Sequence, residues 1–192
     1  MKVASSNNKS PVVRGVKPGY SNFNMSHAHK LSGDMGYLIP IMLMPCMPGD
    51  RVRISVEAVM RFMPMIAPPL HEVWAYFDYF NVPYRILDDT FTDFITGGED
   101  GLDTTAPPRW NPSAIGKVAE GTLWDYLGFP SVEPSLNPVA WPQYAYNMIY
   151  NKHYRNTALQ AEVALTNEDL ILANWEKDYF TDSLPWQQRG VA

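Results

Sequence analysis

His27 and His29 are the closest pair of potential metal ligands in this 192-residue chain. On an extended backbone an H-x-H pair projects both rings to one face. A zinc site takes three or four ligands, and no third residue presents itself beside them. The pair therefore reads as a polar approach to the first strand, and no metal is expected. The acidic groups Asp88-Asp89, Asp93 and Glu99-Asp100-x-x-Asp103 suggest acid–base or calcium chemistry by type alone. A calcium loop needs alternating oxygen ligands closed by a bidentate glutamate. The stretch GGEDGLDTT lacks that pattern and reads as a solvated acidic loop. No G-x-S-x-G elbow, phosphate-binding loop or dinucleotide fingerprint is present. The single cysteine, Cys46, lies among Met42, Met44 and Met47 and is expected as a small buried hydrophobe. Nothing here makes a positive case for an enzyme, and no cofactor is expected.

The elements that position these residues come next. Hydrophobic residues make up 46% and aromatics 13% of the chain, a globular composition with enough length for one domain and a sizeable core. No apolar run approaches the roughly 20 residues that span a bilayer, so no membrane insertion is expected. One cysteine excludes an internal disulfide framework. The net charge of −5 is unevenly spread: residues 1 to 33 carry Lys2, Lys9, Arg14, Lys17 and Lys30 without an acid. The remainder holds 10 basic against 20 acidic residues, a net of −10. Residues 1–22 thus read as an extended basic arm ahead of an acidic body. Such an arm suits non-specific phosphate contact through Lys2, Lys9, Arg14 and Lys17. An ordinary mobile terminus that happens to lack acids is the plainer alternative.

The segment PGDRVRISVEAVMRFMPM alternates. Val52, Ile54, Val56, Ala58, Met60 and Phe62 are apolar, whereas Arg51, Arg53, Ser55, Glu57 and Arg61 are polar and only Val59 breaks their row. A period of two predicts a strand over 51–63 with one face turned to a core. Before it, MGYLIPIMLMPCMPGD is broken by Pro40 and Pro45 and reads as an edge strand. After it, VWAYFDYFNV over 73–82 is apolar or aromatic on both faces, which predicts a strand covered on both sides. From about 83 to 141 the pattern dissolves into insertion loops, with a short helix at TLWDYLGF carrying Thr122 as its cap. Tyr146, Tyr150 and Tyr154 at four-residue spacing predict a helix over about 142–154. Tryptophans recur in loop-like stretches beside proline. Trp110, Trp124, Trp175 and Trp186 are candidates for loop or interface packing. Strands joined by long irregular excursions, with 17 prolines and 12 glycines, point to a mainly β framework bearing large loops.

Three blocks then stand together: MGYLIPI, PGD before the alternating strand, and PMIAPPLHEVWAYFDYFNVPYRIL followed by DDTFTDFITGG. With LWDYLGFP, YAYNMIYNKHYRN and WEKDYFTDSLPWQQRG in the same order, the chain resembles the major capsid protein of the Microviridae, small single-stranded DNA bacteriophages, in its gokushovirus-like branch. The resemblance covers residues 20 to 103 best, then 121 to 130 and 141 to 190, and the arm least.

That resemblance implies an antiparallel jelly roll with large insertions between strands. Residues 23–192 would be the N-terminal part of that capsid domain. It also implies a T=1 icosahedral shell around a circular single-stranded genome, assembled in the host bacterial cytoplasm. Partners would be other copies of the chain, other phage structural proteins, the genome and, through surface loops, a host receptor. Family members are longer, so the chain is expected to be an N-terminal portion of a larger protein or a piece completed by another chain. Two readings from other classes stand beside it: a β-sandwich carbohydrate-binding module, and a metal-dependent enzyme using His27, His29 and a further ligand.

Overall fold

Four short α-helices carry the regular structure among the described residues. They are α1 (Tyr84–Leu87), α2 (Phe91–Thr96), α3 (Leu123–Tyr126) and α4 (Trp141–Ile149), the last running on as a π-helical turn, Tyr150–Tyr154. The computed structural model describes residues 19–110, 118–130 and 137–175. The chain divides into two units, Met1–Lys30 and Leu31–Ala192. In the first, Tyr20 and Phe23 are exposed. The Ser26 amide there donates to Asn24 Oδ1 at 3.1 Å.

In the second unit local chemistry explains each helix. Pro142 sits in the first turn of α4, where an N–H would have no intrahelical acceptor. Tyr144 then donates to Ala140 at 3.0 Å and starts the ladder. At the other end Arg155 reaches back five residues to the Tyr150 carbonyl, 2.8 Å away, closing the wider π turn. Helix α2 stops at Gly97, whose φ of +79° suits a residue without a Cβ. A Cβ there would also lie 2.9 Å from the Gly101 backbone. At α3 the expected threonine cap is not made. Thr122 Oγ1 donates to the Ala119 carbonyl at 2.7 Å, and Asp125 Oδ2 instead accepts from the Gly121 amide at 2.8 Å.

The alternating segment 51–63 departs from its expectation in one respect. It enters no ladder, and its apolar row is uncovered: Val52, Ile54 and Val56 are 46%, 46% and 44% exposed. The same holds for 73–82, expected to be covered on both faces, where Val73, Trp74, Tyr79 and Phe80 are exposed. A strand is stabilised by hydrogen bonds and cross-strand pairs with a neighbour, and the described residues pair neither segment with another strand. The antiparallel pairings among them are two isolated bridges, Tyr37 with Leu172 and Arg109 with Val139. Cys46, expected to be buried, is exposed for the same reason.

Burial gathers instead where the sequence reads as loops. Leu87, Trp110, Val118, Leu123, Trp124, Ala140 and Tyr150 are buried, with Leu127, Phe129 and Tyr144 packed against part of this set.

Candidate interaction surface

Helix α4 and its π turn organise this region through two rows of side chains. Gln143, Asn147 and Asn151 recur every fourth residue, share one face, and are all buried. Their amides serve the backbone of the segment 163–167. Gln143 Nε2 donates to the carbonyls of Thr166 and Asn167 at 2.8 and 3.0 Å. Asn147 Nδ2 donates to those of Leu165 and Asn167, both at 2.8 Å. Asn151 donates to Val163 O at 2.7 Å and accepts from Val163 N at 2.9 Å, as a neighbouring strand would. Part-buried carbonyls left without donors would be costly, so these amides do for an irregular segment what a ladder does for a strand.

The second row is tyrosine. Tyr146 donates to Leu38 O at 2.8 Å and accepts from Ile171 N at 2.9 Å, beside the backbone bonds Leu38 N to Ile171 O and Ala173 N to Gly36 O. Burial raises the pKa of this phenol. Tyr150 donates to Gln160 Oε1. Tyr154 donates to Asp78 Oδ2 at 2.5 Å, and Phe80 meets both His153 and Tyr154 edge-on. Burial first, and then the Asp78 carboxylate, push the Tyr154 phenol well up. This contact ties the 73–82 segment to the helix.

Two aromatic clusters complete the frame. Trp110 and Trp124 stack with centroids 4.5 Å apart, and Phe129 meets Trp124 edge-on. Trp110 Nε1 donates to Glu168 Oε1 at 2.8 Å, whereas the buried Trp124 Nε1 has no acceptor among the described residues. Around Trp141 lie Tyr84, Phe91 and Phe94. Its indole N–H donates to Asp88 Oδ2 at 3.0 Å. The Thr90 hydroxyl does most to hold the Asp88 carboxyl below the usual range, and Trp141 and the Thr90 amide help against a desolvation that opposes them.

The residues singled out by sequence fall into different places. Trp110 and Trp124 meet inside the frame, and Trp175 is 83% exposed. Lys2, Lys9, Arg14, Lys17 and Trp186 lie outside the described residues. His27 Nδ1 faces the Met25 carbonyl at 2.9 Å, and among the described residues no group of three or more His, Cys, Asp or Glu is placed to hold a metal ion. The sequence reading missed the amides of Gln143, Asn147 and Asn151. Their spacing is visible, yet polarity alone assigns them to solvent. What remains outward is apolar: Met63, Ile66, Leu70 and Trp74 are 84%, 109%, 97% and 71% exposed along one proline-rich connection. Exposed apolar arrays of this kind are candidates for interaction surfaces.

Comparison with known proteins adds the following. A family model described as capsid protein (F protein) matches residues 12–192. The capsid protein VP1 of Chlamydia phage 1 is 29% identical over 201 residues, covering 88% of this chain and 34% of that protein. VP1 of Bdellovibrio phage phiMH2K is 28% identical, covering 100% of this chain and 38% of its own length. VP1 of Spiroplasma virus 4 is 27% identical, covering 89% and 35%. The chain thus spans little more than a third of the relatives it matches.

Proposed function

From the premise that this chain belongs to the capsid protein (F protein) family of the Microviridae, a structural and non-enzymatic family, we propose that it builds the shell of a small single-stranded DNA phage. The observation that carries this reading beyond membership is the uncovered alternating row of Val52, Ile54 and Val56. Such a row is one wall of a jelly roll awaiting the strands that close it. Helices α1 to α4 are then an insertion stabilised by its own side chains, and the apolar connection at 63–74 and Trp175 contact neighbouring copies. Trp186 has the same assignment from its sequence context alone. Other phage structural proteins and a host receptor meet the outer loops, and the protein resides in the virion after assembly in the host bacterial cytoplasm. Lys2, Lys9, Arg14 and Lys17 touch genome phosphates without base specificity.

Cryo-electron microscopy of the protein from phage-producing cells tests this. Closed icosahedral particles of T=1 size, with 51–63 paired in a barrel, are expected, and neutralising the four arm cations should lower their genome content. Small unassembled molecules that bind glycans would overturn the reading in favour of a carbohydrate-binding module.

A further inference from the structure

We propose that Met60, Met63 and Met65 form an oxidation-sensitive site. A hydroperoxide turns their thioethers into sulfoxides and reversibly blocks association of the chain through its exposed apolar residues. Six of the ten methionines fall between residues 42 and 65. Met60, Met63 and Met65 are 60%, 84% and 46% exposed, whereas Met148 lies half-buried in α4. Met60 continues the apolar row of Val52, Ile54 and Val56. Met63 and Met65 flank Pro64 and, on an extended backbone, share a face. They open the connection that runs on to Ile66, Leu70 and Trp74, all exposed. The three sulfurs thus stand on an exposed apolar surface, a candidate contact face, within reach of a dissolved oxidant.

The step balances without a cofactor. A sulfur lone pair attacks one oxygen of hydrogen peroxide, the S–O bond forms and the O–O bond breaks. The sulfur loses two electrons, the peroxide is reduced, and the departing hydroxide takes the remaining proton away as water. The product is polar and chiral where the thioether was apolar. Covering it in an apolar contact leaves an S=O acceptor without a donor, which opposes association as any unpaired buried polar group does. Cover also works the other way, because peroxide cannot reach a sulfur over which polypeptide has packed. Oxidation therefore acts on the chain before association and not after it. Methionine sulfoxide reductases reverse it, one enzyme for each epimer, so the block can be lifted. The inference rests on the capsid reading for the association that it controls, and on exposure alone for the chemistry.

Peptide mass spectrometry of the 192-residue chain during mild hydrogen peroxide treatment tests the site. Met60, Met63 and Met65 should gain oxygen well before Met148. Sedimentation velocity tests the consequence. The oxidised chain should need about tenfold more protein to associate, and treatment with the two reductases should restore the original threshold. The variant M60L/M63L/M65L keeps apolar side chains of similar volume. It should associate like the parent and lose most of the peroxide sensitivity. Cys46→Ser, which removes the exposed thiol, should stay as sensitive as the parent. Oxidation of Met148 as early as the three overturns the site. Unchanged association after oxidation, an untreated chain that remains monomeric, or a leucine variant as sensitive as the parent overturns the block, and an insensitive Cys46→Ser assigns it to the thiol instead. Particle formation in phage-producing cells is scored separately. Closed shells built from a chain indifferent to peroxide sink this inference alone, and association that responds to peroxide without closed shells sinks the capsid reading alone.

Discussion

Asp88 shows how much one side chain can hold together. Its carboxylate accepts from the Thr90 amide and hydroxyl at 3.0 and 2.7 Å and from the Trp141 indole at 3.0 Å, joining the turn before α2 to the first residue of α4. These donors favour the charged form, so the folded pKa lies below the unfolded one. A depressed carboxylate contributes stability that is present above its unfolded pKa and is lost as pH falls through the folded value. Urea unfolding from pH 6 down to pH 2 should show this loss beginning below about pH 4. In Asp88→Asn that part of the acid dependence should be absent. An unaltered profile in the variant would mean that Asp88 does not link the two helices. Trp124 is the opposite case: its unpartnered buried N–H forgoes about 1–3 kcal/mol. The stack on Trp110 and the edge contact with Phe129, at about 0.5–1.5 kcal/mol each, are of the same size and offset it.

At the scale of the element, α4 is unusual in burying amides where a helix normally buries an apolar stripe. The reason lies in what it packs against. The segment 163–167 has no ladder of its own, and its carbonyls need donors. Replacing Asn147 by Ala removes bonds to two carbonyls at once. Chemical denaturation should show a loss of about 2–4 kcal/mol, well beyond the effect of a surface truncation such as Leu159→Ala. A loss below about 0.5 kcal/mol would show that solvent supplies those carbonyls instead. The π turn belongs to the same logic. Within its five residues Asn151 meets Val163 while Tyr154 meets Asp78, so one widened turn serves two segments.

Among the described residues a packed helical region stands beside segments whose apolar side chains are exposed. Stability is unequal across such a chain, and proteases sample the parts with the fewest buried contacts. Brief trypsin treatment of the isolated chain should cut after Arg51, Arg53 and Arg61 well before Arg155, which is held by two carbonyls. Assembly into a shell should protect the first three sites. Cleavage at Arg155 as early as at Arg51 would contradict this order.

The sequence by itself was sufficient for the family, because the joint order of short motifs such as MGYLIPI, PGD and LWDYLGFP is specific although each piece is not. It also carries the alternation over 51–63, a local property of an extended backbone, but every residue of that segment is exposed, so burial does not separate the two rows. Helix-forming residues with Pro142 in the first turn, and tyrosines four residues apart, likewise carry α4 in local terms. What only the tertiary structure decided is where burial falls. Val52, Ile54 and Cys46 look like core residues, yet hydrophobicity records a need for cover and not its source. Gln143, Asn147 and Asn151 look like a solvated face, yet they are buried because a segment distant in sequence brings unpaired carbonyls against them. Hydrogen-bond demand between remote segments has no signature in local pattern, and only the folded chain reveals which polar groups meet it.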